Sequence, residues 1–379
     1  MQQYPGGGGP SDPYPAQPAD GRRDRRRRRN RRTARVASVV AAALVAGGGV
    51  LAYRLDAFSD NGEPMSFNQQ NAADETDAGD RPARRPAGPE VSLPAGPEAR
   101  FVRANRLPDG TEIGRTTLHG GKSGFTGDVW VWTPKEYKDP RYARSGFPVL
   151  IALPGGHGYP TNYWMGTDLG LQQAVADGVK AGTSLPFIVV MPVINPDRKF
   201  YYDGSDIPGH PRMGTWMAED VPDFVKANFR TFASRDGWAF MGSSSGGYVG
   251  LKQVMAHPER FKAVIASGPE TAPDSPLWKG HEKEKRENDP EVLAQRIIDR
   301  KGPDVYVNFQ IGTRENGREK LDRFVRNWGK GPVHTTVRVI QDGAHNGRDY
   351  VRGMREGSLE WISRVLQAPV PGPAVSAEG

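Results

Sequence analysis

The sequence contains no cysteine. Disulfide bridges, thiolate metal sites, a cysteine nucleophile and a lipid-modified cysteine anchor are therefore all excluded. No His-Glu-x-x-His pair and no Asp-rich calcium loop occurs, so nothing calls for a metal, and no cofactor is expected. Gly120-Gly121-Lys122-Ser123 ends like a phosphate-binding loop, but Thr116 stands where the first glycine of that loop belongs.

The positive charge of the chain is confined to its amino-terminal end. Residues 1–35 contain ten arginines and three aspartates, and so carry the whole net charge of +7. Because the remainder is neutral overall, no nucleic-acid partner is expected. The Gly, Pro and Arg content of residues 1–35 predicts a disordered basic segment in the cytoplasm.

An uncharged run of eighteen residues follows at 36–53. A membrane-spanning helix needs about 20 such residues, and the arginines before the run predict that the amino terminus stays in the cytoplasm. We expect a transmembrane anchor, with a cleaved signal peptide as the alternative, in which Arg31-Arg32 would be a twin-arginine signal. The chain is then a single-pass protein of the cell membrane with the domain after residue 98 outside, or a secreted protein.

Three further regions are predicted from composition. Residues 54–98 are rich in Pro, Asp and Ala and predict an extended extracytoplasmic linker. Residues 99–368 have the size of one large α/β domain. Residues 369–379 predict a disordered tail.

Strand-like and helix-like patterns alternate along the domain, which favours a mostly parallel sheet with helices on both faces. The first two strands are expected to form an antiparallel edge. Strands are predicted at 111–118, 128–133, 147–153, 186–194, 262–267, 305–312 and 335–340. Helices are predicted at 161–182, 216–229, 290–300, 318–328 and 348–366.

The chemistry centres on Gly242-Ser243-Ser244-Ser245-Gly246, which lies between an apolar run and a helical pattern. The G-x-S-x-G spacing in a strand–turn–helix context is typical of the nucleophile elbow of an α/β-hydrolase, because a side chain at either glycine would clash. Only one register fits, and it places Ser244 at the apex. The backbone N–H of Ser245, at the start of the helix, would then face an oxyanion.

A serine nucleophile needs a base and an acid, which follow it in chain order in this fold. His345 comes just after the strand predicted to end at Ile340, and Glu315 just after the strand predicted to end near Ile311. Asp342 and Asp322 remain alternatives for the acid. The second oxyanion donor is expected in the glycine-rich segment after the third strand, at the backbone of Gly155, Gly156 or His157.

The chain resembles the esterase D and mycolyltransferase group of α/β-hydrolases. The resemblance covers residues 101–366 and rests on the helix at 216–229, the elbow from Ala239 to Tyr248, and the segment His257-Pro258-Glu259-Arg260-Phe261-Lys262-Ala263-Val264. It implies that Ser244 is the nucleophile, His345 the base and Glu315 the acid. It also implies acyl esters as substrates, with water or a sugar or lipid hydroxyl as acceptor.

Two hypotheses follow from these patterns. The first is an extracytoplasmic serine esterase or acyltransferase that works through a Ser-His-Glu triad and an acyl-enzyme. The second is a catalytically silent module of the same fold that binds the cell envelope. Ester turnover separates them.

Overall fold

A computed structural model describes residues 63–67 and 90–372. Its strands, in chain order, are β1 (Pro64–Met65), β2 (Val91–Ser92), β3 (Phe101–Arg106), β4 (Glu112–His119), β5 (Thr126–Trp132), β6 (Val149–Leu153), β7 (Ile188–Pro192), β8 (Thr231–Phe232), β9 (Trp238–Ser243), β10 (Ala263–Ser267), β11 (Val305–Gly312) and β12 (Val333–Ile340). Its helices are α1 (Leu171–Ala181), α2 (Met213–Thr215), α3 (Val221–Asn228), α4 (Ser245–Ala256), α5 (Glu282–Glu287), α6 (Pro290–Arg300), α7 (Arg318–Trp328), α8 (Gly347–Gly353) and α9 (Leu359–Val365).

Ten strands form one sheet in the order β1-β3-β4-β5-β7-β6-β9-β10-β11-β12. The pairings from β7 to β12 are parallel. Every residue of β6, β7, β9 and β10 is buried, as their continuous apolar sequences predict for strands that are covered on both faces. The predicted mostly parallel α/β sheet is therefore confirmed.

The edge of the sheet is antiparallel, as expected, but it is wider than the two predicted strands. β4 pairs with β5, and β5 joins the parallel part through β7. Outside β4 lie β3 and then β1, which no sequence pattern indicated. β1 has only two residues, too few to show the alternation by which a strand is recognised.

The prediction that residues 54–98 form an extended linker is wrong in part. Pro64–Met65 pairs with Val102 and Phe101 in the sheet, and β2 pairs with β8 in a separate two-stranded sheet. Phe67 is only 4% exposed. Its ring packs edge-on against Phe101 and Phe229, with centroids 5.0 and 5.3 Å away. The average composition of residues 54–98, which is rich in Pro and Asp, does not indicate that Phe67 is buried.

The two ends of the chain are described only in part. The predicted cytoplasmic segment and the predicted anchor at 36–53 lie outside the described residues, as does 373–379 of the predicted tail. Among the described residues, no helix is both long and apolar enough to cross a membrane. The tail starts later than predicted, because the N–H groups of Val370 and Gly372 donate to Ser145 Oγ and the Arg141 carbonyl.

Several helices differ from their predicted extents. The helix predicted at 161–182 is present only as α1, and a short turn at Tyr163–Met165 precedes it. A π-helical turn at Trp216–Asp220 joins α2 to α3, and another at Met354–Ser358 joins α8 to α9. The second of these contains Gly357, whose φ of 140° kinks the helix predicted at 348–366.

Phe67 generates a test of the corrected boundary. Phe67→Ala in the full chain should lower the free energy of unfolding by about 3–5 kcal/mol, because it removes a buried aromatic ring from a packed cluster. Urea unfolding measures the change. Leu93→Ala is the control, since Leu93 is 60% exposed in the same stretch, and should change stability by less than about 0.5 kcal/mol. Equal midpoints for Phe67→Ala and the unaltered chain would show that this segment does not stabilise the domain.

Candidate active site

Ser244 occupies the sharp turn between β9 and α4. Its φ of 53° and ψ of −122° place a non-glycine residue in a strained region of backbone space. The flanking glycines are required, because a Cβ on Gly242 would collide with the Gly246 carbonyl, and one on Gly246 with the carbonyls of Leu153 and Pro154. The predicted register is therefore the one that the fold adopts, with Ser244 between the end of the strand and the start of the helix.

The glycine-rich segment after β6 lies against this turn. A Cβ on Gly155 would stand 3.2 Å from Ser244 Cβ, and Ser245 Oγ donates to the Gly156 carbonyl at 2.7 Å. Gly155 N–H is not available to a substrate, because it donates to Tyr163 Oη at 2.8 Å. Within the described part of the chain, no group accepts a hydrogen bond from the backbone N–H of Ser245, Gly156 or His157. Those three N–H groups are free to bind an oxyanion.

His345 and Glu315 meet although thirty residues separate them. His345 follows β12 and Glu315 follows β11, and His345 Nδ1 lies 2.7 Å from Glu315 Oε2. The Glu315 side chain is 2% exposed, whereas that of His345 is 52% exposed. The imidazole thus faces the solvent-accessible site, with the carboxylate buried behind it.

Hydrogen bonds keep the buried Glu315 carboxylate ionised. Burial raises its pKa, but hydrogen bonds from His345, Tyr350 and the Gly312 N–H outweigh burial, so that the pKa lies below its ordinary value. Gly312 N–H donates to Oε1 at 2.6 Å, and Tyr350 Oη donates to Oε2 at 2.6 Å. A carboxylate that accepts from the Nδ1–H of a histidine leaves Nε2 as the basic nitrogen.

The loop after β10 connects Ser244 to this pair. The Ser267 carbonyl accepts from Ser244 N–H at 2.8 Å. A Cβ on the next residue, Gly268, would lie 2.7 Å from Glu315 Oε2 and 2.8 Å from His345 Nδ1. The carboxyl ends of β9, β10, β11 and β12 therefore bring the predicted nucleophile, base and acid to one edge of the sheet.

The two alternative acids stand elsewhere. Asp322 accepts from Arg318 Nε at 2.8 Å on the surface of α7. Asp342 is exposed, and its backbone N–H donates to Thr313 Oγ1 at 2.9 Å. Glu315 is the carboxylate that contacts His345.

Comparison with known families shows which family the chain belongs to. The family model of Esterase, described as "Putative esterase", matches residues 128–349, more than half of the chain. The chain belongs to the Esterase family. This makes it an enzyme of the carboxylic-ester hydrolase class, and it confirms the resemblance to esterases drawn from the sequence. Ser244, Glu315 and His345 all lie within the matched residues.

Solved structures with the same architecture include three esterases or serine hydrolases. A ferulic acid esterase matches at 18% identity with a TM-score of 0.56, covering 68% of this chain and 98% of that one. An S-formylglutathione hydrolase from Agrobacterium tumefaciens matches at 18% identity and a TM-score of 0.55, covering 70% and 99%. The fluorophosphonate-binding serine hydrolase FphF of Staphylococcus aureus matches at 14% identity and 0.54, covering 67% and 98%. These likenesses show the α/β-hydrolase fold.

An open cleft borders the nucleophile of this esterase. Its empty volume, including the part open to solvent, is about 610 Å³, and its lining includes Ser244 and Tyr201. The ring of His157 stacks on Tyr201 with centroids 4.5 Å apart, so that the side chain of His157 packs against one of the lining residues. Trp164 and Trp216, by contrast, are fully buried in the core.

Among the described residues that line this cleft, three carry a carboxylate and none is basic. Burial raises the pKa of Asp203, whose Oδ2 accepts from Trp278 Nε1 at 2.7 Å. Burial, and then the neighbouring charge of Glu270, raise the pKa of Asp274. Glu270 is paired with Lys320, whose Nζ lies 2.6 Å from Glu270 Oε2, so that Asp203 and Asp274 are the two carboxylates that make the cleft unfavourable to an anionic group.

A buried lysine holds the strained turn that carries Asp203. Asp203 has a φ of 52°. Lys252 Nζ donates to the Gly204 carbonyl and, at 2.7 Å, to Ser205 Oγ. Burial lowers the pKa of Lys252 to about 8. No sequence pattern indicates this arrangement, since Lys252 lies within an ordinary helical pattern.

Metal ligation is not supported by the described side chains. Within residues 63–67 and 90–372, no group of three or more His, Asp or Glu side chains could hold a metal ion.

The acid position of the esterase is tested by Glu315→Gln. The substitution keeps the size of the side chain but removes the charge that stabilises the imidazolium, so kcat should fall by a factor on the order of 10³–10⁴. Hydrolysis of p-nitrophenyl acetate gives kcat, and circular dichroism checks the fold.

Asp342→Asn is the matched control and should leave kcat nearly unchanged. If Asp342→Asn lost activity and Glu315→Gln did not, the contact between Glu315 and His345 would be without catalytic consequence.

Proposed function

We propose that this chain is an extracytoplasmic serine esterase or acyltransferase in which Ser244, His345 and Glu315 form a catalytic triad. The observation that carries the proposal is the 2.7 Å contact between His345 Nδ1 and Glu315 Oε2 beside the Ser244 turn. The backbone N–H groups of Ser245, Gly156 and His157, which have no acceptor within the described part of the chain, are the proposed oxyanion donors.

In the first half of the reaction, Ser244 Oγ bonds to the carbonyl carbon of the ester while its proton passes to His345 Nε2. The N–H of Ser245, with that of Gly156 or His157, binds the carbonyl oxygen as it becomes an oxyanion. The tetrahedral intermediate then expels the alcohol, which takes the proton from Nε2, and an acyl-enzyme remains.

In the second half, water or an alcohol donates its proton to Nε2 as its oxygen bonds to the acyl carbon. The bond between that carbon and Ser244 Oγ then breaks, Oγ takes the proton back from Nε2, and the acid or the new ester leaves. Glu315 does not exchange a proton in either half. Its lowered pKa keeps it ionised, so that it holds the Nδ1–H of His345 and stabilises each imidazolium.

The substrate is proposed to be an acyl ester with a neutral or cationic group next to the reacting carbonyl. The cleft carboxylates disfavour an anionic group there. A ferulic acid esterase and an S-formylglutathione hydrolase are among the structural neighbours. Water and a sugar or lipid hydroxyl are the proposed acceptors.

The serine triplet provides an internal comparison. Ser244→Ala should reduce p-nitrophenyl ester turnover by at least about 10³-fold, because the nucleophile is lost. Ser243→Ala and Ser245→Ala should each cost no more than about tenfold, since each removes one hydroxyl hydrogen bond while the backbone N–H of Ser245 remains. Turnover that survives Ser244→Ala would refute the proposed mechanism.

The location is proposed from residues 22–53, where arginines precede the uncharged run. Protease added to intact cells should cleave the catalytic domain, because the domain would lie outside the membrane. Full protection of the domain until the cells are lysed would reverse this orientation.

A further inference from the structure

Tyr350 is a buried residue that the triad chemistry does not itself require. It is 1% exposed, and its Oη lies 2.6 Å from Glu315 Oε2 and 2.8 Å from His345 Nδ1. The rings of Tyr350 and His345 meet edge to face, with centroids 5.7 Å apart. The phenol oxygen, the carboxylate oxygen and the imidazole nitrogen thus form a closed triangle.

The direction of these hydrogen bonds is determined by the protons available. Burial, and then the hydrogen bond with Glu315, hold the pKa of Tyr350 far above its ordinary value, so that the phenol stays protonated. Its single proton is donated to Oε2, which also accepts from His345 Nδ1–H. Oε1 accepts from Gly312 N–H. Both carboxylate oxygens are thereby occupied, and the carboxylate cannot rotate without breaking a hydrogen bond.

Local structure fixes Tyr350 relative to His345. Asn346 caps α8, since its Oδ1 accepts from Asp349 N–H at 2.9 Å. Asp349 Oδ2 in turn accepts from Ala344 N–H at 2.9 Å. The loop that carries His345 and the helix that carries Tyr350 are therefore tied together on both sides of the histidine.

We infer that Tyr350 is a positioning residue of this esterase, which acts through Glu315. It orients the carboxylate toward His345 Nδ1–H and, by sharing the carboxylate charge, limits how strongly Glu315 stabilises the imidazolium. The inference rests on the proposed triad. Tyr163 and Asp349 are the other acidic groups whose charge acts on Tyr350, and neither donates a hydrogen bond to Glu315.

Tyr350→Phe in the full chain separates positioning from packing. The ring is kept, but the hydrogen bond to the carboxylate is lost, so kcat for p-nitrophenyl acetate should fall by about tenfold with little change in KM. Without the hydrogen bond from Tyr350, the negative charge of Glu315 stabilises the imidazolium more strongly. The acid limb of the kcat/KM profile should therefore move to higher pH. Active-site titration with a fluorophosphonate removes any contribution from unfolded protein.

Tyr137→Phe is the matched control. Tyr137 is also 1% exposed, and its hydroxyl accepts from the backbone N–H of Arg230 at 3.1 Å, outside the site. This variant should keep the kcat and the pH profile of the unaltered enzyme.

A double-mutant cycle with Glu315→Gln provides the second measurement. If Tyr350 acts through the carboxylate, Tyr350→Phe should cost much less in the Glu315→Gln background than in the unaltered enzyme. An unchanged pH profile for Tyr350→Phe, or equal costs in both backgrounds, would overturn the inference while leaving the triad intact. An unaltered enzyme whose turnover matches that of Ser244→Ala would instead overturn the proposed function.

Discussion

The site depends on one backbone constraint, the strained turn at Ser244. A residue in such a conformation costs on the order of 1–3 kcal/mol, and the surrounding fold must hold it there. Gly242 and Gly246 allow strand and helix to approach closely, and Ser244 N–H donates to the Ser267 carbonyl at the end of the neighbouring strand. Because the turn is fixed from both sides, the hydroxyl and the first N–H of α4 face the same cleft.

Gly268, the residue after β10, lies against the proposed acid and base. Its φ of 53° and the lack of a side chain let the loop after β10 pass beside the buried carboxylate, where a Cβ would overlap Glu315, His345 and Tyr350. The end of β10 therefore accepts the hydrogen bond from Ser244 N–H, and the residue that follows it packs against Glu315 and His345. The proposed nucleophile, base and acid come from three different strand ends, and the shared carboxyl edge of the sheet brings them together.

Local chemistry explains which features the sequence could predict. The G-x-S-x-G spacing marks a sharp turn within a few residues, and the order of serine, acid and histidine follows from the topology, so both can be predicted from the sequence. Tyr163 and Tyr350 were not, because each is defined by a partner that only the tertiary fold supplies. Phe67 was missed for the same reason: its aromatic neighbours come from distant parts of the chain. The alternation from which strands are predicted also fails for segments as short as β1.

Fluorophosphonate labelling followed by peptide mapping tests the activation of Ser244 most directly. The reagent mimics the tetrahedral state of acyl transfer and reacts with an activated serine, whereas ordinary hydroxyls stay inert. The geometry predicts a single adduct on Ser244 and none on Ser243 or Ser245, although the three hydroxyls are adjacent in the chain. A folded protein that takes up no label, or that carries the adduct on another residue, would contradict Ser244 as the nucleophile.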